Sequence, residues 1–360
     1  MQTLFKDLTI IDASTVLAGP SVGMFFAELG AHVIKIEHPV NKDITRSWKL
    51  PNEPVESPVG AYFSSVNYGK KYQSLDLRND RDYAVFLDLC NSADILLLNF
   101  KKGDQEKFQL TDKLLQANNP SLIIGKISGF GDDSDRVAYD LILQAESGMM
   151  SINGTKESGP LKMPLALIDV LAGHQLKEGL LVALLERLKT NMGSIVSVSL
   201  FDAAIASLIN QASNYLMTGQ IPERMGSLHP NIAPYGEIFT TSDGAQITFA
   251  IGSNKHFQLL CEQLQLNELT HHQKFETVQN RVINRMELAR LIQAKVKLLD
   301  SVELIPKLHK LKVPVAKIRS LDEVLSTEEN QAKILSEQID GVFTKRQTSI
   351  AFQIKNDPLK

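Results

Sequence analysis

The sequence LTIIDASTVLAGPSVGMFFAELGAHVIKIE, residues 8–37, decides the fold. Its two ends, 8–12 and 32–37, are short apolar runs typical of strands, and the segment between them holds a Gly-Pro turn and an apolar helix. Gly30 stands where the C-terminal cap of that helix is expected. A strand, a helix and a strand in this order predict a βαβ unit with parallel strands and a right-handed crossover.

Two further apolar runs extend the predicted sheet. Residues 93–98 and 122–127 are apolar runs, which is typical of parallel strands that are covered on both faces. Between the second strand and these runs, residues 41–58 are polar and rich in proline, and they predict a long surface loop. The first half of the chain therefore predicts an α/β domain with a parallel sheet.

The second half begins with a long amphipathic helix and then changes in character. The helix is predicted to reach about Lys189, followed by a strand at 195–200 and a helix at 202–217. Beyond Gly219, residues 235–251 predict a hairpin that turns at 242–244. Two or three helices follow, up to about residue 310. We expect a smaller α+β domain in this region.

Composition excludes several functional classes. The 360 residues are 43% hydrophobic and 22% charged with a net charge of -3, so no nucleic-acid partner is expected. The longest apolar run is too short to span a bilayer, and the N-terminus lacks the apolar core of a signal peptide. Cys90 and Cys261 form neither a metal spacing nor a disulfide framework. We expect a cytoplasmic protein without a metal and without membrane contact.

Two common catalytic and cofactor-binding motifs match the sequence only in part. Glu37 ends the second strand as a ribose-binding acid would, but the first loop has no G-x-G-x-x-G, which disfavours a nicotinamide or flavin cofactor. The same loop matches the G-x-S-x-G nucleophile pattern at residues 19–23. Only one strand precedes it and Pro20 stands directly before Ser21, which disfavours a serine hydrolase.

Asp169 is the most informative single residue. It lies in PLALIDVLAG, residues 164–173, an apolar run that opens the long helix. An aspartate at this place can be the helix N-cap, worth about 1 kcal/mol. It can equally be a nucleophile, which needs a carboxylate that is charged near neutral pH and N–H groups close by. Position alone does not separate the two interpretations.

Lysines in the first half allow two interpretations as well. They stand at 70, 71, 101, 102 and 107, near the ends of predicted elements. A solvated surface is the usual environment of such lysines, and a phosphate-binding cluster is the functional alternative. The adjacent His271 and His272 have no metal-ligand spacing.

Several segments together resemble the family III CoA-transferases, a group that includes carnitine CoA-transferase-like proteins, formyl-CoA transferases and the α-methylacyl-CoA racemases. In chain order the segments are VLAGP at 16–20, LGAHVIKIE at 29–37, NYGKK at 67–71, ADIL at 93–96, ISGFG at 127–131, YD at 139–140 and HPNIAPY at 229–235. Ordered matches continue to about residue 325.

The resemblance implies a large Rossmann-like, parallel-sheet CoA-binding domain, residues 1–219 plus 325–360, and a small α+β domain, residues 220–324, in an interlocked homodimer. CoA or acyl-CoA would be a substrate, a small carboxylic acid the acceptor, and Asp169 would match the family's catalytic aspartate. The residues that would bind CoA are Val16, Leu17, Ala18, His38, Lys70, Lys71, Phe100, Lys101, Lys107, Val137, Ala138, Tyr139 and Asp140.

The implied reaction moves CoA from an acyl-CoA donor to a carboxylic acid through an aspartyl-CoA thioester on Asp169. Tyr139 occupies the position of the racemase histidine, and a phenol is a poor base near neutral pH, which favours transfer over racemisation. The glycine-rich loop of the transferases is not evident between residues 226 and 243, and the chain ends without the family's usual closing motif. A racemase-like isomerase and a non-catalytic CoA-binding protein remain alternatives.

Overall fold

The computed structural model describes residues 3–355. These residues fall into two compact units: the first comprises Met1–Met150, Lys162–Ile221 and Glu328–Lys360, and the second comprises Ser151–Leu161 and Pro222–Thr327. The predicted large domain extends to residue 360, and its last five residues, with the closing segment at 358–360, lie outside the described residues. Among the described helices, none is both long and apolar enough to cross a membrane.

The strands, in chain order, are β1 (Thr9–Asp12), β2 (His32–Glu37), β3 (Lys71–Ser74), β4 (Ile95–Leu98), β5 (Ile123–Ser128), β6 (Gly154–Thr155), β7 (Gly159–Pro160), β8 (Ile195–Ser199), β9 (Tyr235–Thr240), β10 (Gln246–Ala250), β11 (Val315–Lys317), β12 (Ile334–Ile339) and β13 (Val342–Gln347). The α-helices, in the same order, are α1 (Ala18–Glu28), α2 (Ala61–Ser64), α3 (Asp80–Ser92), α4 (Asp104–Lys107), α5 (Asp112–Asn118), α6 (Asp140–Glu146), α7 (Met149–Ile152), α8 (Leu167–Thr190), α9 (Leu200–Ala206), α10 (Ile209–Thr218), α11 (Asn254–Leu264), α12 (Val278–Ile283), α13 (Arg285–Val296), α14 (Ser301–Lys310), α15 (Leu321–Leu325) and α16 (Glu328–Gln331).

A six-stranded parallel sheet forms the centre of the first unit, in the order β3-β2-β1-β4-β5-β8. The predicted βαβ unit and α/β class are confirmed. Strand β1 pairs with β2 on one side and with β4 on the other, so the direction of winding reverses there. Open α/β sheets bind ligands outside the carboxyl ends of the strands at such a point.

Helices α1 and α8 cover one face of this sheet. The buried positions of α8 recur every three or four residues, at Ile168, Ala172, Leu176, Leu180 and Ala183, and they join the core that also holds Phe26 of α1. Gly173 lets the two helices approach closely, because a Cβ atom there would lie 3.2 Å from the Ala18 carbonyl oxygen. The packing therefore holds the N-terminal part of α8 against the first turn of α1.

Other parts of the chain differ from the sequence prediction. The helix expected at 202–217 is divided into α9 and α10, because Ile209 adopts a φ of 36°, which an α-helix does not allow. The second unit contains the predicted hairpin of β9 and β10, with Gly244 at a φ of 78°, but four α-helices, α11 to α14, stand where two or three were expected. The hairpin of β12 and β13 was not predicted.

Candidate active site

A cleft of about 670 Å³ opens at the carboxyl ends of β1, β4 and β5. It lies at the switch point of the sheet, where a ligand is expected. Its lining includes the predicted residues Val16, Ala18, Phe100, Lys101, Val137, Ala138, Tyr139, Asp140 and Asp169. The first unit thus brings these nine residues together in one place.

Asp169 lies in the first turn of α8 but does not cap the helix. The N-cap is Ala166, which makes no side-chain hydrogen bond to the helix. The Ile168 N–H donates instead to Oδ1 of Asp140, at 2.8 Å, so the acid that caps α8 comes from α6. Helix capping therefore does not explain the carboxylate at position 169.

The surroundings of Asp169 disfavour its charged form. Burial, and then the like charge of Asp140, raise its pKa to about 7, while a hydrogen bond from the Ala18 N–H acts in the opposite direction. Tyr62 is close enough to be affected as well: burial, followed by the charges of Asp169, Asp140 and Asp43, raises its pKa to about 12. Asp169 is therefore a carboxylate that changes charge near neutral pH.

The loop between β1 and α1 has a constrained backbone. Val16 adopts a φ of 73°, a conformation that β-branched residues rarely take. Its N–H points at both carboxylate oxygens of Asp43, at 3.2 and 3.4 Å. Two residues later, Ala18 begins α1 and directs its N–H at Asp169. The loop conformation thus sets the place of a donor to the candidate nucleophile.

Two buried ion pairs lie beneath this loop. Lys70 meets Asp12 at 2.7 Å and donates to the Pro20 carbonyl oxygen, and all four carboxylate and ammonium groups of the two pairs are fully buried. Lys35 meets Asp43 at 3.2 Å and donates to the Ser14 carbonyl oxygen. Burial disfavours a charged Asp12, yet Lys70 and Lys35 together hold its pKa below the usual value.

The position of Lys70 corrects its expected role as a phosphate ligand. Its ammonium bonds Asp12, Pro20 and Asn67 inside the protein and is not part of the cleft lining. Burial lowers the pKa of Lys70 to about 8, which keeps the group charged at neutral pH. Lys70 therefore supports the loop above it and is not available to a ligand.

Four other predicted binding residues lie outside the cleft lining. Leu17 is half-buried, and Lys71 is exposed at the start of β3. The Lys107 ammonium lies 5.4 Å from the centre of the Phe108 ring. His38 accepts the backbone N–H groups of residues 40 and 41 and meets Asp76 at 3.4 Å. The structure gives these four residues no shared site.

The sequence reasoning missed two cations that line the cleft, Lys126 and Arg136; Lys102, which also lines it, was named from the sequence only as part of a possible phosphate-binding cluster. Lys126 pairs with Asp112 at 2.5 Å. Arg136 pairs with Glu146 and lies 3.9 Å from the centre of the Phe130 ring. A charged residue inside the apolar run 122–127 was a usable signal for Lys126, whereas Arg136 is an ordinary exposed arginine by sequence.

The family model for CoA-transferase family III matches residues 5–359. The chain belongs to this family. The resemblance inferred from the sequence motifs is therefore confirmed, and the protein is a family III CoA-transferase.

Within residues 3–355, no three or more His, Cys, Asp or Glu side chains are grouped so that they could hold a metal ion.

Curated relatives of this CoA-transferase carry the same activity in their names. A succinate–glutarate CoA-transferase of Agrobacterium fabrum is 33% identical over 93% of this chain and 84% of its own length. A succinyl-CoA:mesaconate CoA-transferase of Haloarcula hispanica is 31% identical, over 96% and 88%. An acetyl-CoA:oxalate CoA-transferase of Acetobacter aceti is 30% identical, over 94% and 87%.

Solved structures agree with the sequence match. A CAIB/BAIF family protein from Brucella suis is 34% identical with a TM-score of 0.81, over 96% of this chain and 91% of that one. A hypothetical protein from Mycobacterium tuberculosis is 25% identical with a TM-score of 0.81, over 97% and 93%.

Proposed function

We propose that this family III CoA-transferase moves CoA from an acyl-CoA to a short dicarboxylic acid, with Asp169 as the nucleophile. The observation that carries the proposal is a carboxylate in the cleft that is released from helix capping, accepts the Ala18 N–H and has a pKa of about 7. Such a group is partly ionised at neutral pH and is poorly solvated. Both properties favour attack on a thioester carbonyl.

The first half of the reaction forms the aspartyl thioester. The Asp169 carboxylate attacks the acyl carbonyl carbon, a C–O bond forms, the C–S bond breaks, and CoA leaves as a thiolate. The thiolate then attacks the Asp169 carbonyl carbon of the mixed anhydride and expels the donor carboxylate. Each step is a balanced acyl exchange, and the free energy of the thioester is retained on the enzyme.

The second half reverses these steps with the acceptor. Its carboxylate attacks the aspartyl thioester and releases the thiolate, which attacks the acceptor side of the new anhydride. The acceptor leaves as an acyl-CoA and Asp169 is regenerated. The Ala18 N–H, at the N-terminus of α1, is placed to stabilise negative charge on the aspartyl oxygens. Water must be excluded because it would hydrolyse the anhydride.

The same cleft supports a binding mode for CoA. The phosphates would meet the cations of the cleft, Lys101, Lys102, Lys126 and Arg136. The apolar turn of Val137 and Ala138, with Tyr139, would contact the pantetheine and lead its sulfur toward Asp169. The roles predicted for His38, Lys71 and Lys107 remain predictions.

The acceptor class rests on the relatives. Their names specify glutarate, mesaconate and oxalate as acids that exchange CoA with succinate, succinyl-CoA or acetyl-CoA. All three acids carry two carboxylates. We therefore expect the acceptor of this enzyme to be a short dicarboxylic acid.

We also propose a homodimer, as the family resemblance implies. Large apolar side chains on α8 and α10 are exposed in the single chain, as is typical of a protein interface. They are Val182, Leu185, Leu188, Ile209, Leu216 and Met217. Light scattering coupled to gel filtration should give twice the chain mass, and a monomer that retains full activity would contradict this proposal.

A covalent adduct tests the nucleophile. The purified protein is incubated with succinyl-CoA without an acceptor, and its intact mass is measured. We expect a gain equal to one CoA less one water, located on Asp169 by peptide mapping and lost on addition of glutarate. Asp169→Asn should give no adduct. Exchange of the α-proton of a branched acyl-CoA with deuterium, without an adduct, would favour a racemase, and CoA binding with neither would favour a binding protein.

A further inference from the structure

The start of α8 is held by a carboxylate of another helix. Asp140, the first residue of α6, accepts the Ile168 N–H through Oδ1 at 2.8 Å and the Gln144 side-chain amide through Oδ2 at 2.7 Å. Gln144 is buried, and its Oε1 accepts the Met163 N–H at 2.7 Å. The segment that leads into α8 and the first turn of α8 are therefore both fixed by α6.

The side chain of the N-cap residue ordinarily accepts an N–H such as that of Ile168. Asp169 is the third residue of α8, and an acid at this place commonly reaches back to the N–H of the N-cap residue. Ala166, the N-cap, offers no side-chain acceptor. Asp140 satisfies the Ile168 N–H from outside, while the Asp169 carboxylate accepts the Ala18 N–H of α1 instead.

We propose that Asp140 is a positioning residue for Asp169: it caps α8 from α6, so that the Asp169 carboxylate stays in the cleft. The negative charge of Asp140 acts in the same place and keeps that carboxylate basic. The inference rests on the proposed role of Asp169 and adds the reason why that carboxylate is available. Because nucleophilicity rises with basicity within one class of nucleophile, the charge of Asp140 would make Asp169 more reactive.

Several groups surround Asp169, and two of them dominate its titration. Burial is the larger cause of its raised pKa and the charge of Asp140 is the second, while the Ala18 N–H of α1 opposes both. Tyr62 of α2 faces the same acids and stays neutral, since its pKa is about 12. Asp43 adds a further negative charge near Tyr62 and is paired with Lys35.

Replacing Asp140 by asparagine separates its charge from its capping oxygen. Asp140→Asn keeps an oxygen for the Ile168 N–H and removes the negative charge, so the pKa of Asp169 should fall. The pKa is measured without substrate by ¹³C NMR of protein labelled in the aspartate carboxyl groups, with the Asp169 signal assigned from Asp169→Asn. An unchanged Asp169 midpoint would overturn the proposal.

Asp243 supplies a matched control. Like Asp140, it accepts a backbone N–H in the first turn of a helix from a distant part of the chain: Ser301 of α14 donates its N–H at 3.0 Å and its hydroxyl at 2.6 Å. Asp243 lies in the second unit and does not line the cleft. Asp243→Asn should leave the Asp169 midpoint unchanged.

Steady-state kinetics separate positioning from ligand binding. Asp140→Ala removes both the charge and the capping oxygen, and we expect kcat to fall roughly 10- to 100-fold because the nucleophile is misplaced, with KM for acyl-CoA unchanged. Asp140→Asn should restore most of kcat at pH 8. A raised KM with an unchanged kcat would make Asp140 a CoA ligand and would contradict the proposal, as would an alanine variant of full activity.

The two proposals fail in different ways. If Asp169 is not the nucleophile, Asp169→Asn keeps its turnover, while the NMR midpoint still responds to Asp140→Asn. If Asp140 is not a positioning residue, the aspartyl adduct still forms and the midpoint does not move.

Discussion

Two sets of charged side chains differ in burial: one lies beneath the loop between β1 and α1, and the other lines the cleft. The floor comprises Asp12, Lys35, Asp43 and Lys70, which form fully buried pairs beneath the first loop. The mouth comprises Lys101, Lys102, Lys126 and Arg136, of which all but Lys126 are exposed. Buried pairs hold protein groups in one geometry, whereas a cation at the surface, whether unpaired or in a solvent-screened ion pair such as that of Lys126 with Asp112, can turn to a ligand anion. Burial therefore decides whether a lysine of this protein holds other protein groups in place or can bind a ligand.

The largest expected effect concerns Asp169, the proposed nucleophile in the cleft. Asp169→Ala should lower kcat by about 10⁴-fold or more, because no other group in the proposed reaction forms the covalent intermediate. Turnover of succinyl-CoA with glutarate, followed by chromatography of the CoA esters, measures this. If the alanine variant kept kcat within about tenfold of the original, Asp169 would not be the nucleophile.

Lys70 and its neighbour Lys71 test the floor directly. Lys70→Met leaves the Asp12 carboxylate buried without its partner, so the free energy of unfolding should fall by about 3–5 kcal/mol. Lys71→Met is the matched control, since this lysine is exposed and should change stability by less than about 0.5 kcal/mol. Urea unfolding measures both. Equal losses in the two variants would contradict the distinction between floor and surface.

The raised pKa of Asp169 predicts opposite pH trends for activity and stability. Activity should rise with pH through a midpoint near 7, because the carboxylate is the reactive form. The pKa of Asp169 in the folded protein lies above the unfolded value of 3.8. Below about pH 4 the carboxyl group is neutral in both states and does not affect folding. As pH rises from about 4 to 7, only the unfolded chain ionises readily, so the free energy of unfolding falls.

Asp169→Asn should remove this loss of stability. Because the side chain is partly exposed, we expect a gain of about 1–2 kcal/mol at pH 8 and none near pH 4. Thermal unfolding at the two pH values measures it. A variant that is less stable at pH 8 would show that the carboxylate is stabilised, not strained, by its surroundings.

The smallest effect belongs to the mouth. Replacing Lys101 and Lys102 together by alanine should raise KM for acyl-CoA about 3- to 10-fold, with kcat unchanged, because exposed cations contribute modestly and are screened by salt. Lys113→Ala serves as the control, since Lys113 is exposed on α5 and does not line the cleft. An unchanged KM at low salt would assign the phosphates to other residues.

Local sequence pattern predicted the parts of the fold that have strong periodicity. The strands β1, β2, β4 and β5 follow from continuous apolar runs, and α8 from apolar residues spaced three and four apart. The hairpin of β12 and β13 was missed because its sequences, ILSEQI and VFTKRQ, are half-exposed and carry mixed charges. The interruption at Ile209 depends on a single backbone conformation that residue types do not indicate.

The site was predicted in part, and its missing features are those that depend on distant contacts. Asp169 and eight other residues of the cleft lining were predicted through family motifs. The burial of Lys70 depends on Asp12, which is 58 positions away, and the capping of α8 on Asp140, which is 28 positions from Ile168. No local pattern distinguishes a buried lysine from an exposed one or assigns a helix cap to another helix.

Oxygen transfer tests the central claim most directly. In the proposed reaction the acceptor carboxylate attacks the Asp169 thioester, and the thiolate then cleaves the acceptor side of the anhydride, so one acceptor oxygen remains on Asp169. Glutarate labelled with ¹⁸O should therefore add one or two heavy oxygens to the peptide that contains Asp169, as measured by mass spectrometry after turnover. Product formation with no ¹⁸O in that peptide would contradict the account.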